Sequence, residues 1–340
     1  MTTPNKALLT RIPNNPILCE ADIPWDCMSV FNAGVCKWEG GYKMLFRTDS
    51  GPKEMPDSRL TRVGLASSKD GYKWTVDEEP VFDQEKMRIW LKGQYAERFG
   101  NEEIVRIYDP RITVIEGEVY LCFALDTKHG VRGGLARSSD FRNWTLLHIS
   151  LPENRNMVLF PERVNGKLIR LDRPFPLYLR KNESFDIWIS ESPDGELWGH
   201  HKLLLGAEEA QCGNAKIGPG APPIKTDKGW LTTFHAVTHH PDRDLGTWAR
   251  NRTWHKEYVA GLMLLDLEDP SKVIGITRQP LLQSEEPYEL GGFRGSVIFP
   301  GGFILEDDNT VKMYYGGGDT VVALAEGKLD ELLDSIEPIR

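Results

Sequence analysis

"RITVIEGEVYLCFAL", residues 111–125, reads as a strand, a two-residue turn and a second strand. Ile112 and Val114 alternate with polar residues ahead of Glu116-Gly117, and Val119 and Leu121 resume the alternation behind it, which is the pattern of a β-hairpin. The plan recurs in "GVCKWEGGYKMLFRTD" (34–49), "RVNGKLIRLDRP" (163–174), "APPIKTDKGWLTTFHAV" (221–237) and "GGFILEDDNTVKMYYGGGD" (301–319). After each hairpin comes a strand carrying small residues: "RVGLASS", "RGGLARS", "DIWISES", "YVAGLMLLD" and "TVVALAEG". In the first three copies this strand runs into "SKDGYKW", "SSDFRNW" or "SPDGELW", a polar turn closing on a Trp that leads to an outer strand. Repeated four-stranded units at a spacing of roughly 50–65 residues predict an all-β fold, a five-bladed β-propeller. Residues 1–340 read as one propeller domain with a short N-terminal arm, 1–13. Only "KGQYAERF" (92–99) and a C-terminal helix at about 328–337 have a helical pattern.

The composition narrows the function classes. With 41 Lys and Arg against 50 Asp and Glu, the net charge is −9. Such a balance argues against nucleic acid or an anionic membrane as a partner, while leaving room for a local basic pocket. Five scattered cysteines, Cys19, Cys27, Cys36, Cys122 and Cys212, contain no C-x-x-C and read as reduced thiols. The first twenty residues hold no apolar h-region, so the expected location is cytoplasmic.

Working outward from the opening hairpin, the residues just before it are Asp109 and Pro110, both poor strand-interior types. The reading is that Asp109 begins the inner strand of blade two, with Pro110 restraining the backbone that presents it. By the same register Asn32 begins blade one, Arg155 and Lys216 lie just before blades three and four, and Phe299-Pro300 opens blade five. Further polar residues end the second strands after apolar runs: Arg47 and Asp49, Arg173, His235 and Asp319. A charge placed there is costly unless paired or serving a ligand. Because inner-strand ends converge in a propeller, the set points to one cavity. Several cations beside few carboxylates suit a small anion, with phosphate the obvious candidate. Trp25, Tyr42, Tyr258, Phe293 and Tyr315 could supply faces or hydroxyls for a sugar.

The ordered motifs "FN" (31–32), "FRTD" (46–49), "YDPRI" (108–112), "NRNMVLFP" (154–161), "DRP" (172–174), "AKIGPGAPP" (215–223), "FHAV" (234–237), "LLDLEDPSKVI" (264–274), "EEPYELGG" (285–292) and "YYGGGDTVVALA" (314–325) resemble glycoside hydrolase family 130. These are inverting β-mannoside phosphorylases and their hydrolytic relatives, and the likeness runs from about residue 14 to 330. The resemblance implies a five-bladed propeller, Asp109 as the single catalytic acid, and Arg155, Arg173, Lys216, His235 and Tyr258 at the phosphate site. It implies Asn32, Arg47, Asp49 and Asp319 at the mannosyl site, with a further Arg matched by Arg59 or Arg62, Arg59 being preferred. The family's acid is thought to relay its proton through a mannosyl hydroxyl. The implied reaction uses inorganic phosphate as co-substrate and no metal or organic cofactor. It converts a β-linked mannoside to α-D-mannose 1-phosphate and a shortened sugar.

A phosphorylase needs one acid plus cations that hold the anionic nucleophile, whereas an inverting hydrolase also needs a carboxylate to activate water. The competing readings are therefore a β-mannosidase, with Glu162 or Glu191 as base, and a non-catalytic carbohydrate-binding propeller. Two stretches depart from the family pattern. "FRGSVIFP" (293–300) brings in Arg294 and Gly295, and "THHPDRDLGTWARNRTWHKE" (238–257) is long. Its His239-His240 reads as solvated loop without metal spacing. The loop itself reads as a lid over the leaving-group subsite or as a homo-oligomer contact.

Overall fold

The computed structural model describes residues 7–51, 59–99, 104–176, 178, 184–248 and 252–339. Five antiparallel sheets form the blades of a propeller. Blade one contains Ser29–Trp38, Gly41–Ser50, Leu60–Ser68 and Thr75–Val76, and blade two Ile104–Ile115, Glu118–Thr127, Gly130–Ser138 and Thr145–Ile149. Blade three contains Asn154–Leu159, Leu168–Pro174, Ile187–Ser192 and Gly199–Leu205. Blade four is built on Ile217–Pro219, Trp230–His239, Lys256–Leu265 and Val273–Ile276, and blade five on Ile298–Leu305, Thr310–Gly317 and Val321–Lys328.

The polar turns that mark the repeat have one geometry. Asp70, Asp140 and Asp194 each accept backbone N–H groups from the residues two and three ahead. The preceding Ser68, Ser138 and Ser192 hydroxyls accept further N–H groups of the same turns. This local side-chain-to-backbone bonding is what makes Ser-x-Asp a turn former.

Neighbouring blades bury their apolar faces against each other, one cluster per seam. Leu45, Val63 and Leu65 meet Ile112, Leu121 and Phe123 between blades one and two. Ile115, Cys122 and Leu135 meet Met157 and Leu168 in the next seam, and Leu171 and Ile187 meet Trp230 and Phe234 between blades three and four. Leu262 and Leu264 meet Ile298 and Met313, and Val35 and Phe46 meet Tyr314 and Leu324 to complete the circle. Each fully buried side chain of this kind is worth about 1.5–3 kcal/mol.

The termini differ from the expected arm and tail. Thr10–Arg11 pairs with Ala325 and Glu326 as the outer strand of blade five, so the N-terminal segment closes the ring. The C-terminal helix is the shorter Leu329–Asp334, after which Glu337–Pro338 adds to the outer edge of blade four. The other helix, Gln84–Phe99, begins earlier than the sequence pattern suggests. Its Gln94 accepts the Leu146 N–H and donates to the Trp144 carbonyl, which covers the outer edge of blade two.

The inner strands carry the feature that matters most for the site. Each is interrupted part-way along. Pairing slips between Phe31 and Gly34, Tyr108 and Arg111, Arg155 and Val158, and Pro300 and Gly302. In blade four the strand breaks between Pro219 and Ile224. Asn32, Asp109 and Asn156 adopt left-handed backbone at φ 51°, 53° and 59°, a region Asn and Asp tolerate better than other non-glycine residues. These bulges correct the expectation that Asn32 and Asp109 begin their strands and that Arg155 precedes one. Asp109 sits in the middle of Ile104–Ile115, and Arg155 lies inside Asn154–Leu159. Pro110 is tolerated there because the ladder is already broken at the bulge.

Ring closure rests partly on Arg11. Its Nε donates to Glu289 Oε1 at 2.7 Å and Nη2 to Oε2 at 2.9 Å, and Glu289 is fully buried. Replacing Arg11 by Met should leave that carboxylate without its cation and cost about 3 kcal/mol. A lower urea midpoint, with activity retained under native conditions, is the expected outcome; an unchanged midpoint would contradict it.

Candidate active site

The inner-strand bulges and the ends of the second strands bring side chains from all five blades into one cavity of about 300 Å³. Asn32, Arg47, Arg106, Tyr108, Asp109, Arg155, Asn156, Arg173, His235, Tyr258, Arg294, Val297, Phe299 and Asp319 line it. A larger groove of about 690 Å³ runs beside Ala7–Arg11 but lacks such convergent chemistry.

Asp109 is the centre of the sugar side. Asn32 Nδ2 donates to its Oδ1 at 2.9 Å and Arg47 Nη1 at 3.1 Å. Among the described residues none donates to Oδ2, which leaves that oxygen for a ligand. Burial pushes the carboxyl up, but Arg47, the Asn32 bond, Arg111 and Arg155 outweigh it and hold Asp109 below the usual carboxylate range. Arg47 is itself fixed. Its guanidinium lies 4.6 Å from the Phe31 ring and 4.8 Å from the Tyr108 ring, and it grips Asp49 through Nε and Nη2 at 3.0 and 2.7 Å.

The opposite wall is cationic. Arg155 and Arg173 are directly paired across adjacent strands of blade three. Like charges in that relation repel, so the pair suits an anion held between them. Arg155 Nη1 also donates to the Tyr108 hydroxyl at 3.3 Å, and that hydroxyl donates to Asp126 at 2.7 Å. His235 has no exposed surface, and neither ring nitrogen has a hydrogen-bond partner among the described residues. Its ring stacks between Tyr258 and Phe299, with centroids 5.9 and 4.7 Å away. Burial, then the charges of Arg173, Lys216, Arg111 and Arg155, hold His235 neutral, well below its ordinary range. A neutral imidazole still has one N–H to donate.

The cavity therefore gathers Asp109, Arg155, Arg173, His235, Tyr258, Asn32, Arg47 and Asp319 from the sequence-predicted set. Asp49, Arg59 and Lys216 stand behind the wall. Asp49 is 1% exposed and also accepts from Thr61 Oγ1 at 2.8 Å and Arg59 Nη1 at 3.4 Å. Arg59 lies 3.6 Å from the Phe293 ring centroid, whereas Arg62 turns away to the Asp26 carbonyl. Lys216 Nζ is 5.8 Å from the Tyr258 ring centroid. Of the aromatics considered for a sugar, Tyr258 alone lines the cavity. Trp25 stacks on Phe46, Phe293 backs Arg59, Tyr42 bonds Glu306 and Tyr315 bonds the buried Glu289.

Sequence reasoning placed Phe299 at the opening of blade five, missed Arg106, Tyr108, Asn156 and Val297, and gave Arg294 no role. Tyr108 and Arg106 precede Asp109 on the same strand, so extending that strand backwards would have found them. Asn156 carries the same Asn-at-bulge signal as Asn32. The long 238–257 loop folds back on its own chain: Trp254 Nε1 donates to the Gly295 carbonyl at 3.0 Å, and its ring stacks on Tyr258. His240 pairs with Glu257 and His255 with the Arg243 carbonyl, so both histidines serve the loop itself.

Comparison with known proteins identifies the family. A family model described as beta-1,4-mannooligosaccharide phosphorylase matches residues 5–338. The beta-1,2-mannobiose phosphorylase of Listeria innocua is 36% identical over 279 residues, covering 82% of this chain and 69% of that one. The 1,2-beta-oligomannan phosphorylase of Thermoanaerobacter sp. strain X514 is 33% identical over 323 residues, covering 93% and 96%. The solved complex of the Listeria innocua beta-1,2-mannobiose phosphorylase with beta-1,2-mannobiose superposes with a TM-score of 0.78 at 28% identity, covering 96% and 99%.

The placement of Asp109 depends on a close backbone approach. A Cβ on Gly34 would lie 2.9 Å from both the Ile112 nitrogen and the Pro110 oxygen, so Gly34→Ala must displace the Asp109 bulge. A shift of that kind should lower turnover by about a hundredfold while the far-ultraviolet spectrum stays native. Full activity in the variant would contradict this account of how Asp109 is held.

Proposed function

The chain belongs to glycoside hydrolase family 130, and on that premise we propose that it is an inverting β-mannoside phosphorylase whose catalytic acid is Asp109. Inorganic phosphate, held by Arg155, Arg173 and His235 with Lys216 and Tyr258 behind them, attacks the anomeric carbon from the face opposite the leaving group. The new C1–O–P bond forms as the glycosidic C1–O bond breaks, and the leaving oxygen takes the proton supplied by Asp109. The products are α-D-mannose 1-phosphate and the shortened sugar. Asn32, Arg47 and Asp319 hold the mannosyl unit, while Asp49 and Arg59 fix Arg47 and the wall behind it.

The observation that carries this reading is the opposed Arg155–Arg173 pair beside a fully buried His235 with two unpartnered nitrogens. A water-activating hydrolase would need a second carboxylate instead of that anion site. Neither Glu162 nor Glu191 can serve. Each lies off the cavity, Glu162 on Lys225 and Glu191 on Lys167 and His200. A merely carbohydrate-binding propeller has no use for a buried cationic pair. Arg47, Asn32, Arg111 and Arg155 hold Asp109 ionised, yet it must carry a proton when the bond breaks. A bound phosphate beside Arg155 offsets the cationic field and favours the protonated acid. A cytoplasmic setting suits both the five free thiols and a reaction that consumes phosphate.

Titrating phosphate against initial rate with a β-mannoside tests the anion site. Arg173→Ala should raise the phosphate requirement about ten- to a hundredfold, the worth of one charge-assisted contact. Asp109→Asn should abolish turnover at every phosphate concentration. A phosphate curve unchanged by Arg173→Ala, or mannoside cleavage needing no phosphate, would overturn the proposal.

A further inference from the structure

Arg294 and the long loop, the two sequence features that departed from the family pattern, touch each other and the site. A Cβ on Gly295 would lie 2.1 Å from the Leu245 carbonyl oxygen and 2.5 Å from that of Leu290, so only glycine lets the loop close here. Trp254 then donates its indole N–H to the Gly295 carbonyl, and the Arg294 guanidinium lies 5.2 Å from the Trp254 ring and 5.4 Å from the Phe293 ring. The Arg294 backbone N–H donates to the Gly318 carbonyl at 3.0 Å, next to Asp319. From this support Arg294 Nη1 donates to Asp319 Oδ2 at 2.8 Å. Asp319 occupies a left-handed residue at φ 50° and is 5% exposed, with its carboxylate on the cavity wall.

We propose that Arg294, braced by Leu245 and Trp254, is a positioning residue of the mannosyl pocket that fixes the Asp319 carboxylate to accept sugar hydroxyls. The inference rests on the phosphorylase reading and adds a residue and a supporting loop to it. The charges facing Asp319 explain why a clamp is needed. Burial together with Asp109 and Asp49 favours its protonated form, and Arg294 and Arg47 oppose that. Arg47 is already engaged by Asp49 and Asp109, so Arg294 is the cation committed to Asp319. An ionised Asp319 accepts hydroxyl donors through both oxygens; a protonated one would lose part of that capacity.

Equilibrium binding of α-D-mannose 1-phosphate and of inorganic phosphate separates the roles, because both ligands use the anion site and only one carries the mannosyl unit. Arg294→Gln should weaken α-D-mannose 1-phosphate at least tenfold while changing phosphate less than threefold. The loss should deepen as pH is lowered, as Asp319 takes up a proton that Arg294 normally repels. Inorganic phosphate controls for titration of the ligand itself. Arg294→Lys should recover most of the affinity. Unaltered α-D-mannose 1-phosphate binding in Arg294→Gln, or equal weakening of both ligands, would overturn the inference. Failure of the wild-type protein to bind either ligand would instead overturn the phosphorylase reading beneath it.

Discussion

A buried guanidinium on the propeller axis governs the arrangement. Arg111 is 2% exposed, donating through Nε to the Gly220 carbonyl at 2.6 Å, Nη2 to the Pro300 carbonyl at 3.1 Å and Nη1 to the Pro110 carbonyl at 3.1 Å. One side chain thus bonds to carbonyls at the interruptions of the inner strands of blades two, four and five. Burial alone would make such a cation costly, and lowers it to about 10. The carbonyls and the nearby Asp109 carboxylate offset that cost. Asp109, Pro110 and Arg111 therefore act as a unit: the acid faces the cavity, the proline sits where the ladder is broken, and the arginine plugs the channel beneath.

Two sources fill the cavity around that plug, the bulges of the inner strands and the ends of the second strands. A regular strand would aim successive side chains to opposite faces, whereas the bulges of blades one, two and three re-aim Asn32, Asp109 and Asn156 into the cavity. Blades one, two and five supply Asn32, Arg47, Asp109 and Asp319, and blades three and four supply Arg155, Arg173 and His235. The two carboxylates, each paired with an arginine, thereby lie on one side of a small space, and the Arg155–Arg173 pair with His235 on the other. Such a division suits a sugar on one side and an anionic nucleophile on the other, with the reacting carbon between them.

The blades were legible in the sequence because each repeats its hairpin, its small-residue strand and, in three copies, its Ser-x-Asp turn. The convergent polar set was legible because charges ending apolar runs are costly without a role. The bulges were not: Asp and Pro inside a strand look like its beginning, and only the pairing of Ile107 and Tyr108 with blade-two neighbours reveals the strand continuing through them. For the same reason Arg106 and Tyr108 escaped notice. Asp49 and Arg59 looked like cavity residues because sequence gives strand position but not depth, and Arg47 covers them. Ring closure by Thr10–Arg11 was hidden because a two-residue strand has no period to read.

The central claim is that one catalytic carboxylate, Asp109, and one cationic cluster, facing each other across the sugar, perform an inverting displacement by phosphate. Phosphorus and proton NMR of products formed from β-1,2- and β-1,4-mannobiose in phosphate buffer test it most directly. The account predicts mannose 1-phosphate in the α configuration, formed in step with release of the second mannose. Mannose 1-phosphate of β configuration, or mannose appearing with no sugar phosphate, would contradict it.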